Sequence, residues 1–91
     1  MGEKMDTEEL EELYREFEGL WCSVRFDDGP RAILKILKVS NGNLLCQNVR
    51  GGKKLIDIYE LRGIDQFTGK IKTTGEEVQN GVVVSTMKEV A

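Results

Sequence analysis

The apolar positions near the start of the chain repeat at the interval of an α-helix. They follow the i, i+3, i+4, i+7 pattern at Leu10, Leu13, Tyr14 and Phe17. Such a one-sided stripe is typical of a helix that packs on a core. Asp6 can accept a hydrogen bond in the first turn, and Glu9 follows it at the spacing of a capping box. The pattern predicts a helix over residues 6–18, with Gly19 at its end.

After Gly19 the period of the apolar positions changes to two. The run "LWCSVRF" alternates as a half-buried strand does, and the following "DDGP" is typical of a turn. The next run, "RAILKILKV" over residues 31–39, is apolar in both registers, and its spacing alone fits a helix or a strand. Pro30 before it and Asn41-Gly42 after it bracket a strand-length segment. We therefore expect a long, bent strand that ends in a hairpin.

Short apolar runs and glycine turns alternate over the rest of the chain. Gly51-Gly52 separates "LLCQNV" from "KLIDIYEL", and the turns "TGK" and "TTGEEVQNG" surround "IKT" and precede "GVVVSTMK". Short antiparallel strands at this spacing are typical of small sheets and barrels. The sequence therefore predicts an α+β, mainly β fold, in which an N-terminal helix caps a small five- or six-stranded antiparallel barrel or strongly bent sheet.

The length of the chain fits a single domain over residues 1–91. Within it we expect a disordered N-terminus at residues 1–5 and the barrel at residues 20–88. The longest apolar run has three residues, and the first residues include no apolar segment of the secretory type. We therefore predict a cytoplasmic protein that does not enter a membrane.

Two cysteines and the absence of histidine limit the chemistry of the chain. Cys22 and Cys46 lack a CxxC spacing, and we expect a buried pair of free thiols; a disulfide between neighbouring strands is the alternative. Without imidazole the usual general base and nearly all zinc sites are excluded. The sequence also has no glycine-rich phosphate loop and no pair of carboxylates at a fixed spacing. We therefore predict that the protein is not an enzyme and carries no organic cofactor.

The net charge of −3 hides an uneven distribution, with −6 on residues 1–18 and +3 on residues 19–91. Four basic residues stand around the Gly-Gly turn and after the next apolar run: Arg50, Lys53, Lys54 and Arg62. They can neutralise phosphates, while Asn41, Asn43 and Gln47 can meet base edges. The alternative is that these lysines are solvated and protect a strand edge from aggregation.

The chain contains "SVRFDDG", "KVSNGNLLC" and "YELRGID". In this order they resemble the first strand and turn, the first motif and the second motif of the Sm-like family. In this resemblance Asn43 takes the place of the Asn of the first motif, and Asn41 that of the residue that stacks on a base. Arg62 and Gly63 take the place of the Arg-Gly that ends the second motif. Val39 stands where the family usually has Asp. The resemblance implies a small barrel that binds RNA and assembles into a ring.

The same part of the chain also resembles a Tudor domain, through "CSVRFDDGPRA" and "IYELRGI". A Tudor domain needs an aromatic cage to hold a methylated ligand, because a quaternary cation is bound by ring faces. Pro30-Arg31 and Val49-Arg50 stand where those rings would be. We therefore do not expect a methyl-reader role, even for a related barrel.

Acidic turns suggest a different ligand, a divalent cation. Oxygen ligands for a weak Ca²⁺ site are offered by four residues: Asp27, Asp28, Glu76 and Glu77. No EF-hand loop is present, and the alternative is a solvated turn.

Two further residues have more than one interpretation. Trp21 lies on the strand face opposite Cys22, and we expect it in the core rather than exposed as an anchor for a partner. Asp57 stands inside an apolar run. We expect it on the solvent face or paired with a base such as Arg25.

Taken together, the sequence predicts a non-enzymatic binding module, with a homo-oligomer as one expected state. Its first candidate ligand is RNA or nucleoprotein, bound by Asn41, Asn43, Arg50, Lys53, Lys54, Arg62 and Gly63. The first alternative is a protein-interaction domain that uses the acidic helix or a free sheet edge. The second is the weak Ca²⁺-binding protein.

Overall fold

One α-helix and eight strands form the part of the chain that the structure, a computed structural model, describes: residues 6–86. In chain order the elements are α1 (Thr7–Arg15), β1 (Trp21–Phe26), β2 (Arg31–Ser40), β3 (Asn43–Gln47), β4 (Lys53–Asp57), the 3₁₀ helix η1 (Ile58–Glu60), β5 (Leu61–Gln66), β6 (Lys70–Lys72), β7 (Glu76–Gln79) and β8 (Val82–Thr86). The strands pair antiparallel in two sheets, which confirms the α+β prediction. The predicted disordered segment, residues 1–5, lies outside the described residues.

Helix α1 begins where the sequence predicts but is shorter. The Asp6 carboxylate accepts a hydrogen bond from the Glu9 N–H, with 2.9 Å between Asp6 Oδ1 and Glu9 N, and this confirms the N-cap. The helix ends at Arg15 rather than at residue 18. Leu13, expected on the apolar stripe, is 46% exposed, whereas Glu11 is buried. No helix in residues 6–86 has the length and apolar content needed to cross a bilayer.

Residues 31–39 belong to strand β2, as expected. The first half of β2 pairs with β1 and the second half with β3, and the change of partner falls at Lys35. A bulge between Ile36 and Lys38 inserts one extra residue there. As a result Ile36 and Val39 are both buried. The bulge accounts for the change from even-numbered to odd-numbered core positions at Val39, but not for Ile33, which precedes it on the outer face.

The five-stranded sheet has the strand order β4-β3-β2-β1-β5. Its edges, β4 and β5, are not paired with each other in the described residues, so the sheet is open there and a closed barrel is not confirmed. The core lies on one face of this sheet, beneath α1. It contains Tyr14, Cys22, Val24, Leu34, Ile36, Val39, Leu44, Cys46, Ile56, Ile58 and Leu61.

The segment "KLIDIYEL", predicted as one strand, is interrupted by η1. Asp57 explains the break, because its carboxylate accepts a hydrogen bond from the Tyr59 N–H at 2.8 Å and caps η1. Asp57 is exposed, which agrees with the solvent-face expectation. Arg25 instead lies over Gly63, where an added Cβ would come within 2.7 Å of the guanidinium.

The last three strands form a separate sheet of order β6-β7-β8, here called the C-terminal sheet. Strand β7 lies inside "TTGEEVQNG", so the prediction of a turn over that whole segment is wrong. Trp21 is fully buried, as expected, but the C-terminal sheet covers it rather than α1. The backbone N–H of Trp21 donates to the Gly81 carbonyl oxygen at 2.8 Å. A Cβ on Gly81 would meet the Trp21 carbonyl oxygen at the same distance, 2.8 Å, so glycine permits this close approach.

Candidate nucleic-acid interface

Lys53 and Lys54, predicted to act together, point to opposite faces of the five-stranded sheet. Lys54 pairs with Cys46, whose side chain lies in the core, so Lys54 lies on the core side at the open rim. Lys53 pairs with Gln47 and shares the outer face with it. Neighbouring residues of a strand alternate between faces, whereas directly paired residues share one.

The outer face of β3 and β4, with the adjoining part of β2, is a continuous surface that we call the basic face. Cross-strand register places Lys38, Leu45 and Leu55 in one row and Gln47 with Lys53 in another. Asn43 and Asp57 are paired across β3 and β4 and form a third row at one end of this face. Leu55 is 63% exposed and Lys38 and Lys53 are exposed, so the surface is open to a ligand. The basic face therefore combines two ammonium groups, two side-chain amides and an apolar floor, with the Asp57 carboxylate at one end.

The charge of this part of the chain has one sign. Residues 31–56 carry six basic residues and no acidic residue. They span β2, β3 and β4, which lie next to one another in the sheet. The pattern is visible in the sequence, but averaging the charge over residues 19–91 concealed it. Of these six, Lys38 and Lys53 lie on the basic face with Arg50 beside it, whereas Lys54 lies on the core side. These three cations make the local potential positive.

The other predicted nucleic-acid residues are distributed around the sheet. Arg50 is exposed in the β3–β4 turn, beside the basic face. Asn41 lies in the β2–β3 turn with a φ of 53°, and its carbonyl oxygen accepts a hydrogen bond from the Asn43 side chain at 3.2 Å. Arg62 and Gly63 lie on β5, at the far end of the strand order from β4. The structure therefore brings Asn43, Arg50 and Lys53 to one surface and leaves Arg62 and Gly63 off it.

The β2–β3 turn is held by a carboxylate that sequence reasoning missed. Glu11 Oε2 accepts a hydrogen bond from the Gly42 N–H at 2.6 Å, and Glu11 Oε1 lies 3.3 Å from the Arg15 guanidinium. Glu18 Oε2 accepts from the Val39 N–H at 2.8 Å, just beyond the bulge. The signal was the position of Glu11 next to Leu10 and before Tyr14 on the packing side of α1. Part of the acidic helix charge is therefore structural.

The C-terminal sheet limits the basic face at one side. Trp21 Nε1 donates to Glu76 Oε1 at 3.1 Å, and Lys35 Nζ lies 3.1 Å from Glu76 Oε2. Lys35 is in the row of Gln47 and Lys53, but this ion pair occupies it. The Glu76 carboxylate thus satisfies the indole N–H of a fully buried tryptophan.

The four acidic residues predicted for a cation do not come together. Asp27 and Asp28 follow the end of β1, whereas Glu76 lies at its start, beside Trp21. Glu77 follows Glu76 on β7 and lines a shallow groove of the C-terminal sheet. In residues 6–86 no group of three or more acidic or cysteine side chains is placed to hold a metal ion. The Ca²⁺ alternative remains a prediction without a described site.

The two cysteines are core residues. Both are free and buried, as expected. They lie on β1 and β3 with β2 between them, so their Cα atoms are at least roughly 9–10 Å apart, farther than a disulfide spans. Burial raises the pKa of the Cys22 thiol to about 12 and that of Cys46 to about 11. Both thiols are therefore protonated at neutral pH, which makes them poor nucleophiles.

Comparison of the chain with protein-family models, with curated proteins and with solved structures finds no match.

Proposed function

We propose that this protein is a non-enzymatic module with an Sm-like fold and assembly that binds single-stranded RNA on its basic face. The proposal rests on one observation: Lys38 and Lys53 lie on the basic face with Arg50 beside it, within a segment, residues 31–56, that has six basic residues and no acidic one. A groove or face of one charge sign that follows the phosphate backbone is what binders of single strands use.

Each group of the basic face has a role in this proposal. Lys38, Lys53 and the neighbouring Arg50 neutralise phosphates, and Leu45 with Leu55 forms an apolar floor beneath the bases. The amides of Asn43 and Gln47 donate and accept hydrogen bonds at base edges. Since the floor is aliphatic, base stacking is weaker than on an aromatic platform. We expect modest affinity and little sequence preference.

The element order supports the Sm-like part of the proposal. A helix precedes a five-stranded sheet whose second strand is long and bulged, as the resemblance implies. We also propose that this sheet is curved into a barrel-like form.

Assembly is the second part of the proposal. Strands β4 and β5 are opposite edges of one sheet, so β4 of one copy can pair with β5 of the next. Such a head-to-tail contact closes into a ring when its rotation allows. Light scattering measures the mass directly. A multiple of 10.3 kDa is expected, and a monomer at binding concentrations contradicts the ring.

Fluorescence anisotropy with a labelled single-stranded oligoribonucleotide tests the binding site. We expect Lys38→Glu with Lys53→Glu to weaken binding at least tenfold. The same pair should reduce the slope of log affinity against log salt by about 1.4, since each phosphate contact on a single strand contributes about 0.7. The matched control, Lys70→Glu with Lys72→Glu, makes the same charge change on the C-terminal sheet. Equal losses in the two double variants contradict the proposed site.

Exposed Leu13 favours a second candidate, a protein-interaction surface on α1. It is 46% exposed among solvent-facing acids of the helix: Glu8, Glu9, Glu12 and Glu16. An apolar side chain within an acidic rim suits a basic protein partner. Reversal of Glu8, Glu12 and Glu16 to lysine should abolish capture of such a partner and leave oligoribonucleotide binding intact; retained capture contradicts this candidate.

A further inference from the structure

A cleft opens beside the free rim of the five-stranded sheet, away from the basic face. It has a volume of about 650 Å³, within the range of small-ligand sites. Its apolar wall consists of Phe26, Pro30 and Tyr59. Tyr59 is 46% exposed, so its ring is accessible to a ligand. We call this feature the Tyr59 cleft.

The charge of the Tyr59 cleft is opposite to that of the basic face. Asp27, Asp28 and Glu60 line it together with one cation, Lys54. Neither of the two ion pairs of the described residues involves these groups. The net charge of −2 on the lining repels phosphate and attracts a cation. The cleft is therefore not an extension of the proposed RNA site.

The walls of the cleft are held in position before any ligand binds. The Tyr59 hydroxyl and the Thr7 hydroxyl are 2.9 Å apart and share a hydrogen bond. The Asp27 N–H donates to the Glu60 carbonyl oxygen at 2.9 Å, which ties the acidic turn to η1. The Gly29 N–H closes the turn on the Phe26 carbonyl oxygen at 3.0 Å. These bonds fix the Tyr59 ring and the backbone of the cleft walls, which lowers the conformational entropy that is lost on binding.

We propose that the Tyr59 cleft binds an arginine side chain presented by a partner protein. A guanidinium stacks on aromatic faces and also forms paired hydrogen bonds with carboxylates, and this cleft offers both kinds of group. A bare metal ion fits less well, because no three acidic side chains of residues 6–86 converge closely enough to hold one. A planar cation with five N–H donors can bridge carboxylates that are further apart.

The test uses the full chain labelled with ¹⁵N and a blocked peptide, acetyl-Gly-Gly-Arg-Gly-Gly-amide. We expect saturable shifts of the backbone amides in residues 26–29 and 57–61. The analogue with citrulline, which keeps the shape and loses the charge, should produce no saturable shift, and the lysine analogue should bind more weakly than arginine. Equal binding of the lysine peptide overturns the assignment to guanidinium. Shifts of equal size at the acids of α1 reduce the effect to non-specific attraction and overturn the site.

Two acidic variants separate the cleft from overall charge. The double variant Asp28→Asn with Glu60→Gln should lower the affinity for the arginine peptide at least tenfold. The control Asp65→Asn with Glu77→Gln has the same net charge and should change this affinity less than twofold. Dispersed amide spectra show whether each variant is folded. Lys54→Ala should strengthen peptide binding, because it removes the one cation of the lining. Unchanged affinity in the Asp28/Glu60 variant overturns the proposal. Since the probe and the residues differ from those of the basic face, either proposal can fail alone.

Discussion

The two sheets of this protein are held in place by different forces. The five-stranded sheet and α1 enclose a cluster of eleven buried hydrophobic residues, all of them outside the C-terminal sheet. The C-terminal sheet contributes one buried hydrophobic side chain, Val78, and attaches through polar bonds of Glu76 to Trp21 and Lys35. Apolar burial in an extended core therefore stabilises the first sheet, whereas the second is attached by hydrogen bonds around one buried side chain of the first, Trp21. The difference predicts which changes unfold the domain and which only loosen one end of it.

The largest expected effect is from truncation in the core of the first sheet. Leu44 is fully buried, and Leu44→Ala should lower the free energy of unfolding by about 2–5 kcal/mol, since it removes buried methyl groups and leaves a cavity. Val84 on β8 is 58% exposed, and Val84→Ala should change the free energy of unfolding by less than about 0.5 kcal/mol. Urea denaturation measures both. Similar costs at the two positions would remove the distinction between the sheets.

The next effect concerns the polar contact between α1 and the β2–β3 turn. Glu11→Ala leaves the partly buried Gly42 N–H without its acceptor and should cost about 1–3 kcal/mol. Glu12→Ala, at an exposed position of the same helix, is the matched control and should have little effect. If the two variants have the same urea midpoint, the carboxylate of Glu11 does not stabilise the turn.

A smaller and more local effect is expected in the C-terminal sheet. Glu76→Ala removes both the acceptor of the Trp21 indole N–H and the partner of Lys35, at a cost of about 1–2 kcal/mol. Hydrogen exchange should accelerate in β6, β7 and β8 and stay unchanged in β2 and β3, because the core of the first sheet is intact. The control Glu77→Ala should change neither the free energy of unfolding nor the hydrogen-exchange rates. Uniform acceleration over both sheets would show that they unfold as one unit.

The smallest effect is a dependence on alkaline pH from the two core thiols. Burial raises the folded pKa of Cys22 and Cys46 from 9.0 to about 12 and about 11. A raised folded pKa contributes stability that is complete below the unfolded pKa and is lost as the pH rises through the folded one. Between pH 8 and pH 9.5 the loss should be on the order of 1 kcal/mol for each thiol, because the thiol ionises in the unfolded chain and stays protonated in the folded one. A variant with alanine at both positions should lose less stability over the same interval, and an equal loss contradicts the assignment.

Local signals in the sequence predicted much of the first sheet. Asp6 caps α1, and residues 31–39 form a strand because Pro30 and Asn41-Gly42 fix its ends. Both cysteines and Trp21 are buried, as their surroundings indicate. These outcomes depend on patterns within a few residues, where periodicity and turn chemistry determine the structure.

The failures have tertiary causes. Leu13 is exposed because the packing face of α1 includes Glu11 instead. Burial of the Glu11 carboxylate is possible because it accepts a hydrogen bond from the Gly42 N–H, which is distant in sequence. Strand β7 is rich in polar residues, and Glu76 is placed by Trp21 and Lys35 from distant strands. Within the candidate site, Lys53 and Lys54 separate because β-strand alternation assigns neighbours to opposite faces once the pairing with β3 is fixed. None of these partners is visible in local spacing.

The central claim, that RNA lies on the outer face of β3 and β4, is tested most directly by two single variants of equal charge change. In the anisotropy titration at fixed salt, Lys53→Glu should weaken oligoribonucleotide binding several times more than Lys54→Glu, because only Lys53 lies on the basic face. Equal weakening by the two, or no weakening by Lys53→Glu, would contradict the account.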